Sequence, residues 1–128
     1  MAGEKILCVD DEDPIRKLCT VYLAKRGYRV EAVANGVEAL KLIESKGAPD
    51  LVVTDVNMPL MNGLELVSTL KSDPDTADLP VLLLSAKAQM ADVQRGFELG
   101  ADDYVTKPFD PIELIDKVTA LAAAARRR

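Results

Sequence analysis

The sequence predicts an α/β domain: one doubly wound sheet of five parallel strands with five helices, in three layers. Three observations predict it. Five short apolar runs, at residues 5–9, 28–33, 51–54, 80–85 and 103–106, alternate with five stretches of helical periodicity. The first, third and fourth runs are apolar almost throughout, the pattern of strands covered on both faces. The 128 residues, 48% hydrophobic and 29% charged, suit one globular domain. Its core is expected over residues 5–121, with 122–128 as a helix end or the start of a linker.

Each element has its own signals. The first strand runs straight into Asp10-Asp11-Glu12. A helix is expected from about Pro14 to Arg26, because Ile15, Leu18, Cys19, Tyr22 and Leu23 recur on one helical face. Asp13 is expected as its N-cap before Pro14, and Gly27 as its stop. The second helix starts near Asn35-Gly36, turns Val37, Leu40 and Ile43 inward, and ends by Gly47 and Pro49. The third starts near Gly63 with Leu66, Val67 and Leu70 inward. Residues 72–79 form a polar loop around Pro74. The fourth spans about 90–99, turns Met90, Val93 and Phe97 inward, and stops at Gly100. The fifth starts near Asp110-Pro111, buries Ile112, Ile115, Val118 and Ala122, and ends in Arg126-Arg127-Arg128, which suits a helix C-terminus. Short connections and right-handed crossovers then give a parallel sheet with helices on both faces.

Composition excludes several classes. A net charge of −5 argues against this domain gripping a nucleic-acid backbone. No apolar run approaches the length needed to span a bilayer, so no membrane association is expected. The first residues do not resemble a signal peptide, and the chain is read as cytoplasmic. Cys8 and Cys19 sit at apolar positions and are read as small buried hydrophobes. There is no His, so a Ser-His-Asp unit, a His-ligated zinc and an internal phosphohistidine are all excluded.

In open parallel sheets, sites form just beyond the carboxyl ends of the strands. Those ends carry Asp10 and Asp11, Asp55, Ser85-Ala86, and Lys107-Pro108. Neighbouring strands lie about 4.8 Å apart, so these groups can share one pocket. Three carboxylates together repel one another and call for a cation. Oxygen ligands without His or Cys suit a hard ion, Mg2+ first, with Mn2+ as the alternative. A carboxylate at that place can attack phosphorus, and Mg2+, Lys107 and the Ser85 hydroxyl can each receive one phosphoryl oxygen.

These residues carry a resemblance to the receiver domains of two-component response regulators, chemotaxis regulators among them. The matching pieces are Ile6-Leu7-Cys8-Val9-Asp10-Asp11, Asp55-Val56-Asn57-Met58-Pro59 with Gly63, Leu84-Ser85-Ala86, Gly100-Ala101-Asp102-Asp103-Tyr104, and Lys107-Pro108-Phe109. The resemblance implies a flavodoxin-like strand order of 2-1-3-4-5. It implies Asp55 as phosphoacceptor. Asp10 and Asp11 would hold Mg2+, Asp11 directly, together with Asp55 and the backbone carbonyl of Asn57. Ser85, Ala86 and Lys107 would contact the phosphoryl group. Ser85 and Tyr104 would be the switch pair, and Lys107-Pro108 a cis peptide. Asn57 and Lys87 would tune hydrolysis.

The function so implied is a phosphorylation-driven switch, a regulatory phosphoacceptor and not a turnover enzyme. A sensor histidine kinase or histidine phosphotransfer protein would supply the phosphoryl group. An output domain or target protein, unidentified, would read the face made by the fourth and fifth helices and the fifth strand. A homodimer formed on phosphorylation is a further expectation, with Asp102 and Lys117 pairing across subunits. An aspartyl-phosphate phosphatase of the haloacid-dehalogenase type fits less well, because Asn57 stands where its second acid would be. A nucleotide-binding domain would want a Gly-rich loop where this chain has acids. A phosphorylation-independent interaction scaffold is the alternative reading.

Overall fold

The computed structural model describes residues 3–86 and 90–126. Its elements are β1 (Lys5–Val9), α1 (Asp13–Ala24), β2 (Arg29–Val33), α2 (Gly36–Lys46), β3 (Leu51–Asp55), α3 (Gly63–Ser72), β4 (Val81–Ala86), α4 (Met90–Leu99), β5 (Asp103–Lys107) and α5 (Pro111–Arg126). The five strands form one parallel sheet in the order β2-β1-β3-β4-β5. This is the flavodoxin-like arrangement of five strands and five helices.

The core is two apolar layers, one on each side of the sheet. Ile6, Cys8, Val53, Leu84 and Val105 point to one side, where they meet Cys19 and Leu23 of α1 and Leu114, Ile115 and Val118 of α5. Leu7, Val9, Val52 and Leu83 point to the other, against Ala39 of α2 and Leu66, Val67 and Leu70 of α3. Successive residues of a strand face opposite sides. The inner strands must therefore be apolar at every position, which is why β1, β3 and β4 read as unbroken runs.

Local signals set the helix starts. The Asn35 side chain accepts the Glu38 N–H at 2.9 Å and starts α2. Asn62 and Glu65 make a reciprocal capping box at the start of α3, with bonds of 2.9 and 3.0 Å. At α1 the expectation fails. Asp13 is the first helical residue, not the cap, and Glu12 holds the cap position without a side-chain cap bond. The Glu12 N–H is taken by Asp10 Oδ1 at 2.9 Å, which starts the helix one residue early. Asp13 pairs instead with Arg16 and Lys17.

Four residues expected inside are exposed: Leu18 (42%), Met90 (45%), Phe97 (37%) and Ile112 (65%). Helix α4 closes on Leu83 and Leu64 through the small face of Gly96, so only Val93 and Gly96 are buried there. On α5 the inward stripe is Leu114, Ile115, Val118 and Ala122, which leaves Ile112 in the first turn outside it.

The two residues expected to pair across subunits are engaged within the chain. The Asp102 carboxylate accepts the Val81 N–H at 2.8 Å and lies 3.9 Å from Lys71 Nζ. Lys117 contacts Asp103, Glu113 and the Tyr104 carbonyl. A cross-subunit pair would have to displace these contacts.

Candidate functional site

Strand register brings the carboxyl ends level. Val9 pairs with Thr54, Asp55 with Leu84, and Ala86 with Lys107. The next residue of β1 and the last residues of β3 and β5 therefore converge on one edge. Asp10 is 1% exposed and Asp55 5%, while Asp11 is exposed.

Asp10 is held from three directions. Its N–H donates to the Val33 carbonyl at 3.1 Å. Its Oδ1 accepts the Glu12 N–H, and its own carbonyl accepts from Arg16 Nη1 at 2.6 Å. Asp55 ends its strand where Gly63 passes close behind. A Cβ on Gly63 would collide with the Asp55 carbonyl oxygen, so only glycine lets α3 begin there.

Lys107 reaches into the middle of these acids. Its Nζ lies 2.8 Å from Asp10 Oδ2, 3.1 Å from Glu12 Oε2 and 3.3 Å from Asp55 Oδ2. Burial raises the Asp10 pKa, against the pull of Lys107. Burial and then the Asp10 charge push Asp55 up to about 6, despite Lys107. Burial works against the Lys107 charge, but its carboxylate neighbours outweigh it and raise that pKa above the ordinary lysine value.

One ammonium thus faces an excess of carboxylate. Asp10, Asp11 and Asp55 each offer an oxygen, all within 4.8 Å of one another. The donors are hard oxygens, and the raised Asp55 pKa records unrelieved burial and repulsion there. That set fits a divalent metal such as Mg2+.

The other expected residues lie around this centre. Asn57 and Ala86 line the same cleft as Asp11, Glu12, Asp55 and Lys107. Ser85 is fully buried at the end of β4, its Oγ donating to the Ala86 carbonyl at 3.2 Å. The Lys107-Pro108 peptide is cis. Tyr104 sits three residues back along β5, half-buried and edge-on to Phe97, ring centres 6.1 Å apart. Lys87 lies outside the described residues.

Glu12, singled out with the acid pair but given no role, and Arg16, not foreseen, both join the site. Glu12 contacts Lys107, and Arg16 pins the Asp10 carbonyl. Glu12 did carry a signal, a third acid directly after the pair. Arg16 follows one helical turn later.

The family model for the response regulator receiver domain matches residues 6–119. The chain belongs to that family.

The receiver is 41% identical over 121 residues to the phosphate regulon transcriptional regulatory protein PhoB of Pseudomonas aeruginosa, covering 94% of this chain and 52% of that one. It is 43% identical to the alkaline phosphatase synthesis transcriptional regulatory protein PhoP of Bacillus subtilis, covering 93% and 48%. It therefore spans about half the length of the curated relatives it matches. Among solved structures, a response regulator of Chloroflexus aurantiacus superposes with a TM-score of 0.90 at 36% identity, covering 94% of this chain and 98% of that one. A chemotaxis response regulator of Vibrio cholerae gives 0.86 at 33% identity, covering 94% and 99%. The receiver's pocket of Asp10, Asp11 and Asp55 is of the kind typical of a phosphoacceptor switch. Among the described residues, no helix is long and apolar enough to cross a membrane.

Proposed function

We propose that this receiver accepts a phosphoryl group on Asp55 from a phosphohistidine partner and changes conformation in response. The observation that carries the reading is Asp55, buried at a strand end, within 3.3 Å of Lys107 and within metal-sharing reach of Asp10 and Asp11.

The partner is a sensor histidine kinase or a histidine phosphotransfer protein, since this chain has no His. An Asp55 carboxylate oxygen attacks the phosphorus in line. The new P–O bond forms as the P–N bond to the partner's imidazole breaks, and the imidazole leaves with the electron pair. Lys107 neutralises charge on the transferred phosphoryl oxygens. Asp10, Asp11, Asp55 and the Asn57 carbonyl would hold Mg2+, which supplies further neutralisation of that charge when bound. In the later hydrolysis, water attacks phosphorus and gives up a proton, the bond to Asp55 breaks, and inorganic phosphate leaves the regenerated carboxylate. Asn57, at the cleft, and Lys87 tune that step.

The switch pair is Ser85 and Tyr104. The Ser85 hydroxyl bonds the Ala86 carbonyl here and would turn to the phosphoryl group. Tyr104, beside Phe97, would follow it. The output reads the face of α4, β5 and α5, through a second domain or a separate target.

Acetyl phosphate with Mg2+ tests the reading by intact mass. One phosphoryl adduct that needs both Mg2+ and Asp55 is expected, absent from Asp55→Asn and from chelated samples. Failure to form an adduct, together with failure to bind beryllofluoride, would overturn it.

A further inference from the structure

Lys107 meets more carboxylate than phosphoryl transfer to Asp55 requires. An ammonium has three N–H donors and no acceptor. Asp10, Asp55 and Glu12 stand at 2.8, 3.3 and 3.1 Å from its Nζ, and of the three it is Glu12 that accepts its hydrogen bond. A phosphoryl oxygen must compete with that carboxylate for the ammonium.

Burial decides which carboxylate yields. The Asp10 and Asp55 side chains are 2% and 7% exposed and belong to the metal and phosphoacceptor site itself, so neither can move out into water. The Glu12 side chain is 59% exposed, so its freed carboxylate rehydrates at little cost. Its backbone is fixed. The N–H is held by Asp10 Oδ1, and the carbonyl accepts from the N–H groups of Ile15 and Arg16. Only the side chain is free to swing. It lines the same cleft as Asp11, Asp55, Asn57 and Ala86. A phosphoryl group there, with a charge of about −2, repels it.

We infer that Glu12 is the displaceable hydrogen-bond partner of Lys107, a positioning residue that steadies the ammonium in the resting receiver and yields to the phosphoryl group. The inference rests on the phosphoacceptor reading, because it is the phosphoryl group that displaces the carboxylate. Glu12 then sets how readily the site accepts a phosphoryl group and how readily it returns to rest.

Two variants separate the contact from the charge. Glu12→Ala removes both, and α1 loses no side-chain cap bond by it. Glu12→Asp keeps the charge but is one methylene shorter, and Asp at an N-cap turns its carboxylate to the helix N–H groups and away from Lys107. Native protein and both variants are titrated with beryllofluoride at saturating Mg2+, and their rates of phosphorylation by acetyl phosphate are measured. Both variants are expected to bind beryllofluoride about two- to fivefold more tightly and to react faster by a similar factor, the range that an exposed ion pair is worth. Added salt should narrow the gap, since it screens only the native contact. Variants that match the native protein would overturn the inference. So would an effect in Glu12→Ala with none in Glu12→Asp, which would assign it to bulk charge at the cleft. Native protein that takes neither ligand would sink the phosphoacceptor reading, and this inference with it.

Discussion

Lys117 donates to the Tyr104 carbonyl at 2.7 Å, and its ammonium lies 5.0 Å from the centre of the Tyr104 ring. One side chain of α5 thus steadies both the backbone and the ring of the residue proposed to switch. Asp103 completes the cluster, accepting from Lys117 at 3.2 Å and from the Tyr104 N–H at 2.8 Å. Lys117→Met should lower stability by about 1 to 2 kcal/mol, as loss of a half-buried charged donor does. Urea denaturation reads that loss. Hydrogen exchange of the β5 amides should quicken with it, and unchanged exchange would show that the ammonium does not hold this strand.

Asp55 makes the metal-free receiver sensitive to pH. Burial first, then the Asp10 charge, raises its pKa from 3.8 to about 6. A carboxyl with a raised folded pKa stabilises the fold below its unfolded value, and that stability is lost as pH rises through the folded one. The chelated protein should therefore weaken between about pH 4 and pH 6. Asp55→Asn should weaken less, and above pH 6 should exceed the native protein by up to about 3 kcal/mol. Thermal melts across that window check the sign. A gain that did not grow with pH would show that Asp55 titrates alike in the folded and unfolded chain.

Mg2+ should reverse the penalty. At about a hundred times its dissociation constant it should stabilise the native protein by about 2.7 kcal/mol. Asp11 is exposed, so Asp11→Asn can remove a metal ligand without opening the core. That variant should fold normally in chelator and lose most of the Mg2+-dependent rise in melting temperature. A full rise in the variant would place the metal elsewhere.

Gly63 and Gly96 both resist a side chain, for different reasons. At Gly63 the obstacle is backbone, the Asp55 carbonyl. At Gly96 it is the end of the Leu83 side chain, which can turn. Gly63→Ala should cost about 2 to 4 kcal/mol and also weaken Mg2+ binding, because it shifts the strand end that carries Asp55. Gly96→Ala should cost about 1 to 3 kcal/mol and leave Mg2+ binding unchanged. Urea melts and metal titrations of the two variants separate the effects. Equal loss of Mg2+ affinity in both would refute the backbone argument.

The helices were legible because glycines, prolines and Asn35 mark their ends within a few residues of chain. The misread helix faces have a shared cause. Periodicity gives a helix face, but not how wide a strip of it the neighbours cover. Leu18 and Phe97 fall on the apolar face and are still exposed. Asp13 was misplaced as a cap because the Asp10 carboxylate captures the Glu12 N–H, a contact visible only once the loop is folded.

By itself the sequence determined the unbroken strands, the acids and lysine at their ends, and the lack of any internal phosphohistidine. These follow from local residue type and from a two-residue strand period. The 2-1-3-4-5 order came from the sequence only through its family resemblance; the tertiary structure shows it seating β1 beside β3 and carrying the Asp10 and Asp55 carboxylates to one ammonium. It also decided that Glu12, 95 residues from Lys107 in the chain, would accept that ammonium's hydrogen bond. Contacts between distant residues depend on which strands become neighbours, and burial of the whole sheet sets that.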